Sequence, residues 1–267
     1  MKLAVCMSGH VRNLARNMPV LKQLILDPYS PDIFLHLWDT YGWRAEGNDI
    51  EAGHGTFKGF DHYSGKVNQA AVVNWLQPKA CVFESYTDKE QEFVTQAEPY
   101  KKNCKHPLDR PENLVGMAYK VWKCNQLKQD YEQQNNFTYD LVMRTRPDMH
   151  YSSDPFTPQV LAMANRGVLL TAEAHSYDAA SDLFAIGTSS ALDTYSDLYC
   201  HLDELNSEGC NMNPHHASKT WFDKKFPNGG WVKYPFAIEL NRCRKACEGK
   251  LWCQDCDPSK KILSNIF

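Results

Sequence analysis

Residues 139–151 read YDLVMRTRPDMHY. Leu141, Val142 and Met143 form the short apolar run of a core strand. Pro147 cannot donate to a ladder, so the strand should stop there and leave Asp148 and His150 on a loop beyond its carboxyl end. In open α/β sheets that edge is where ligands bind. The charges there read either as a binding site or as a surface ion pair between Arg146 and Asp148, worth only ~0–1 kcal/mol.

Outward from this stretch, strand and helix signals alternate. Lys2–Met7 and the DIFLHLW run of 32–38 are apolar strands, separated by a helical pattern through Leu14, Met18, Leu21, Leu24 and Ile25. Tyr41–Lys66 is polar and glycine-rich and reads as a long loop. A helix over Val67–Leu76, a strand from Ala80 and a helix over Asp88–Ala97 follow. A charged connection, Pro99–Pro111, leads into the longest helix, Asn113–Gln134. After the central strand, helices are expected over Pro158–Asn165, Ser189–Leu205 and Pro214–Phe226. Strands are expected over Val168–Ala172, Asp182–Ile186 and Trp231–Leu240. This rhythm predicts an α/β fold with a mainly parallel sheet covered by helices on both faces.

The chain has 267 residues and 43% hydrophobic content, enough for a sizeable core. Its 29 Lys+Arg against 32 Asp+Glu give a net charge of −3, so no nucleic-acid partner is indicated. No run approaches the ~20 apolar residues of a membrane span, and LAVCM at the start is too short for a secretory core. A soluble, cytoplasmic protein is expected, and the Asn136-Phe137-Thr138 sequon is then idle. Of the ten cysteines, six are scattered and read as buried thiols. Cys243, Cys247, Cys253 and Cys256 instead lie within a short C-terminal tail, CRKACEGKLWCQDC. That spacing suits a structural Zn²⁺, disulfides or unlinked thiols.

Three strand exits carry candidate chemistry. The first offers Ser8, Gly9, His10 and Arg12, where a glycine turn opens a helix and can meet an anion. The second offers Trp38 and Asp39, suited to a base and a ribose, although Asp39 or Thr40 would equally cap a helix. The third offers Arg144, Arg146, Asp148 and His150. Asp148 and His150 could hold Mn²⁺ or Mg²⁺ against a diphosphate. The neighbouring arginines could do the same neutralising work without a metal.

The set AVCMSGHVRNL, PDIFLHLWDT, YDLVMRTRPDMHY and SDLFAIGTSSALDTYSDLY resembles a family of glycosyltransferases from bacterial surface-polysaccharide loci and large algal viruses. R-x-R-P-D is the most specific part, and the likeness spans roughly residues 2–205. It implies a GT-A-like, Rossmann-like domain over 1–242, with a nucleotide-sugar half (1–150), an acceptor half (151–242) and a separate tail (243–267). It further implies transfer of a sugar, such as xylose, from a UDP-linked donor to an oligosaccharide or glycoprotein hydroxyl in viral capsid or surface glycans, within the host cytoplasm. The family's D-x-D metal motif falls on Asp148-Met149-His150, where His replaces the second Asp. Arg146 would steady the leaving group and Asp182 would act as general base for inversion, with Glu173, Asp178, His215 or His216 as substitutes. Asp182 could otherwise be a turn residue preceding its strand. The rivals are a non-catalytic sugar-nucleotide or carbohydrate binder and a zinc-stabilised interaction protein.

Overall fold

The structure is a computed structural model that describes residues 1–12, 14–40, 66–106, 109–174 and 179–240. The expected loop over 41–65, the substitute base Asp178 and the four tail cysteines lie outside the described residues.

Strands β1 (Leu3–Gly9), β2 (Asp32–Trp38), β3 (Ala80–Glu84), β4 (Leu141–Thr145), β6 (Leu169–Ala172), β7 (Ala185–Gly187) and β8 (Trp231–Tyr234) form one sheet. Its order is β3-β2-β1-β4-β7-β6-β8. The first four strands are mutually parallel, β7 runs antiparallel to both β4 and β6, and β6 pairs with β8 in parallel. The expected α/β architecture, mixed but mostly parallel, is present.

The central strands β1, β2 and β4 are buried and mostly apolar because both faces are covered. Ala4, Cys6, Phe34, Val142 and Ala185 pack on one side with the long helix Pro111–Gln134, which opens on a proline at its first position. Leu3, Val5, Met7, Leu35, Leu141, Met143 and Ile186 pack on the other, against the helix Leu14–Leu21. Burying each such aliphatic side chain contributes ~1.5–3 kcal/mol, so the alternation fixes the register of the central strands.

Five local expectations are corrected. Asp148 and His150 do not share a loop: a tight turn at 147–148 leads into β5 (Met149–Tyr151), antiparallel to β9 (Ile238–Leu240), with His150 opposite Glu239. The run Trp231–Leu240 is therefore two strands in two sheets, broken at Pro235, which has no N–H to continue a ladder. Asp182 does not open a strand but sits in a bend before β7. Ser189–Leu205 is divided by a 3₁₀ turn at Asp197–His201, and the expected connection after Pro99 begins as another, Glu98–Asn103.

From β1 the chain runs through a helix on one face to β2, and from β3 it returns by the long helix on the opposite face to β4. The connections diverge on either side of β1 and β4. Their carboxyl ends therefore border the crevice at which open α/β sheets bind ligands.

Candidate active site

At the end of β1, Gly9 has φ +109°, a conformation that side chains rarely adopt. The sharp turn brings Arg12, itself at φ +41°, back toward the end of β4. There Arg12 Nη1 donates to Asp148 Oδ2 at 3.0 Å. Arg146 grips the same carboxylate with two hydrogen bonds, Nε to Oδ1 and Nη2 to Oδ2, both 2.8 Å. Asn17 Nδ2 donates to the Pro147 carbonyl at 3.2 Å and pins the turn from the helix below. Two strand exits 136 residues apart are thus joined by one fully buried aspartate. Sequence reading missed Asn17; its signal was a polar residue on the apolar face of an amphipathic helix.

Arg144 points into the same region from β4 and is only 3% exposed. Its Nε and Nη1 have no hydrogen-bond partner among the described residues. A buried guanidinium with donors to spare is costly unless something anionic or polar meets it. Its charge, with that of Arg146, acts on Asp182. Among the described residues, three guanidiniums, of Arg12, Arg144 and Arg146, gather about two carboxylates, Asp148 and Asp182.

Asp182 is buried, and burial opposes its charge. The contact with His215 and the fields of Arg144 and Arg146 outweigh that and hold it at about 2. His215 Nδ1 lies 3.1 Å from Asp182 Oδ1 and 3.2 Å from the Ala180 carbonyl. Among the described residues Asp182 Oδ1 makes no hydrogen bond of good alignment, so the pair is an ionic contact rather than a linear hydrogen bond. The Asp182 contact raises His215 above its ordinary value, against burial.

The residues at the second exit behave differently from expectation. Trp38 is 3% exposed, with the Lys120 ammonium 3.5 Å above its ring and Tyr86 edge-on at 5.3 Å. It is a core residue, not an open ledge for a base. Asp39 is tied to Lys66 and caps no helix among the described residues. Ser8 is buried, and His10 packs 5.5 Å from Tyr86 with Nδ1 3.4 Å from the Thr40 carbonyl. Burial, then the Arg12 charge, lowers His10 to about 3, so it is neutral.

A divalent cation does not fit Asp148 as it is arranged. Both oxygens already accept from guanidiniums, and two adjacent positive charges oppose a third. His150 sits in β5 with a buried Nδ1 lacking a partner, yet among the described residues no group of three His, Cys, Asp or Glu side chains is placed to hold a metal. No helix among the described residues is long and apolar enough to cross a membrane.

The chain belongs to the family described as a domain of unknown function, DUF7796, whose model matches residues 97–245, more than half of the sequence. That match takes in β4, the R-x-R-P-D turn, Asp182 and His215. No curated protein matches the chain. Among solved structures, the apo form of mouse xyloside xylosyltransferase 1 is similar over 87% of this chain and 84% of that one. The identity is 11% and the TM-score 0.42, a level at which the likeness carries no argument.

Proposed function

We propose that the crevice binds the diphosphate of a sugar nucleotide and that the protein is a GT-A-type glycosyltransferase, moving the sugar to a glycan hydroxyl with inversion. One observation carries this reading: Arg12 and Arg146, brought from two strand exits onto the buried Asp148, with Arg144 beside them. The cluster sits at the switch point of the sheet and, among the described residues, brings more guanidiniums than carboxylates together, which suits a diphosphate leaving group. Asp148 then positions arginines instead of holding a metal. Residues 1–150 would take the nucleotide and 151–242 the acceptor, with the proton of the incoming hydroxyl handled at Asp182 and His215. The motif resemblance extends the proposal to a UDP donor, to xylose and to capsid or surface glycans.

The test is a panel of UDP-, GDP-, CMP- and ADP-sugars, UDP-xylose included, read first by thermal shift and then by transfer to oligosaccharides. Donor binding stabilises by RT ln(1 + [L]/Kd), about 2.7 kcal/mol at a hundredfold excess over Kd. Binding with turnover supports the proposal, and binding without hydrolysis or transfer favours a non-catalytic binder. Failure of every nucleotide to bind overturns it. Full activity in EDTA assigns the diphosphate to the arginines, whereas loss restored by Mn²⁺ or Mg²⁺ returns a cation to Asp148 and His150.

A further inference from the structure

We infer that His215 accepts the proton of the attacking hydroxyl and that Asp182 is the residue that positions it; this rests on the sugar-transfer reading above. The two come from different elements, His215 from the first turn of the helix Pro214–Lys225 and Asp182 from the bend before β7. The backbone clamps them together. Ala180 N donates to the His215 carbonyl at 2.9 Å, while Asn213 Oδ1 accepts from the His215 amide at 3.1 Å. The ring is fixed by Nδ1, held between Asp182 Oδ1 and the Ala180 carbonyl.

Nε2 therefore points away from the aspartate, and it makes no hydrogen bond among the described residues. The His215 side chain is 40% exposed while Asp182 lies buried beneath it. An incoming hydroxyl reaches the imidazole, not the carboxylate. Besides Asp182, the charged group acting on the ring is Arg146, which favours its neutral form; Arg144 acts through Asp182. A carboxylate held at about 2 is also a poor acceptor for a hydroxyl proton compared with an imidazole.

In the step, an acceptor oxygen lone pair forms the bond to the anomeric carbon. The bond from that carbon to the β-phosphate oxygen breaks, its electron pair leaving with the diphosphate among the arginines. The hydroxyl proton passes to His215 Nε2, and Asp182 faces the resulting imidazolium until the proton is lost to water.

The experiment uses the full chain and the best donor of the panel. In the wild type, kcat should fall on the acid side as His215 protonates. His215→Gln should lower kcat by ~10²–10⁴ and erase that limb, with UDP affinity by calorimetry changed by less than about threefold. Asp182→Asn should keep the limb but move it to lower pH, because the group that raises His215 has gone. NMR titration of the His215 ring checks the same shift without turnover and shows that the variant is folded. His216→Gln should leave the profile unchanged. An acid limb that persists in His215→Gln overturns the assignment, as does one lost in Asp182→Asn but intact in His215→Gln, which makes Asp182 the base. Absence of transfer from any donor, with the paired titration intact, instead overturns the sugar-transfer reading and the base with it.

Discussion

Two polar clusters, one around Lys128 and one in the crevice, differ in how their hydrogen bonds are spent. Around Lys128 every principal charge is answered. Its ammonium meets Ser189 Oγ, Asp193 Oδ1 at 2.9 Å and Glu132 Oε2 at 3.0 Å. Glu132 Oε1 accepts from Ser189 Oγ and the Tyr139 amide, both at 2.7 Å, and Asn125 donates to Asp193 at 2.7 Å. In the crevice, Arg144 keeps buried donors without partners among the described residues. A satisfied buried network specifies a fold; an unsatisfied one invites a ligand. The first ties the long helix to the helix Ser189–Ser196 and to the chain entering β4, and the second supplies chemistry.

The contrast is broken most directly at Lys128. Lys128→Met leaves Glu132 and Asp193 without their cation and should cost ~3–5 kcal/mol of stability. Urea unfolding measures this, and a loss below ~1 kcal/mol would mean that the network is not what anchors the helix. The matching change in the crevice has the opposite profile. Arg146→Ala strips two hydrogen bonds from the buried Asp148 but leaves it the Arg12 contact, so stability should fall by about 1–3 kcal/mol, less than at Lys128. UDP affinity should instead fall ~10–100-fold, as expected for a lost charge-assisted contact to phosphate. Calorimetry on the folded variant decides it, and unchanged affinity would remove Arg146 from the diphosphate site.

The sequence exposed these two regions unequally. β1, β2, β4 and the long helix were legible because Gly9 and Pro147 close their apolar runs and Pro31 and Pro111 precede or open theirs. R-x-R-P-D was legible as a charged strand exit. Its partners were not, since Arg12 and Asp148 meet only through sheet order and Asp182 meets His215 across 33 positions by packing of a helix on a bend. Trp38 misled for a related reason. An aromatic at a strand end looks available until the helix bearing Lys120 and the neighbouring Tyr86 close over it. β5 was hidden because its three residues pair with a strand some 90 positions away, after Pro235.

Acid titration sharpens the comparison next. His10 and His36 are both held at about 3, by burial first and then by Arg12 and Lys120 respectively. Below pH 6.5 the unfolded chain takes up protons that these folded histidines refuse, so stability falls as pH falls toward 3. Each contributes a slope of about 1.4 kcal/mol per pH unit in that window. Asp182 acts elsewhere: depressed to about 2, it contributes stability above pH 3.8 that is lost only as pH drops through about 2. Denaturation series from pH 6.5 to 4 on His36→Gln should show a shallower slope than wild type. An unchanged slope would mean that His36 protonates in the folded state.

A change at Gly9 separates the crevice's geometry from its charge. A Cβ added there meets no atom within 4 Å among the described residues, so Gly9→Ala cannot fail by crowding. It is opposed only by φ +109°, at a cost of order 1–3 kcal/mol if the turn is kept. Gly187 in β7 is the reverse case. Its φ is ordinary, but an added Cβ would lie 3.0 Å from Leu192 Cδ2 and 3.1 Å from the Ala191 Cβ. If the Gly9 turn exists to aim Arg12, Gly9→Ala should weaken UDP binding beyond its effect on stability, while Gly187→Ala should reduce stability and leave affinity alone. Equal losses in both measurements at Gly9 would instead mark the turn as part of the strand's ending, with Arg12 reaching Asp148 however the chain leaves β1.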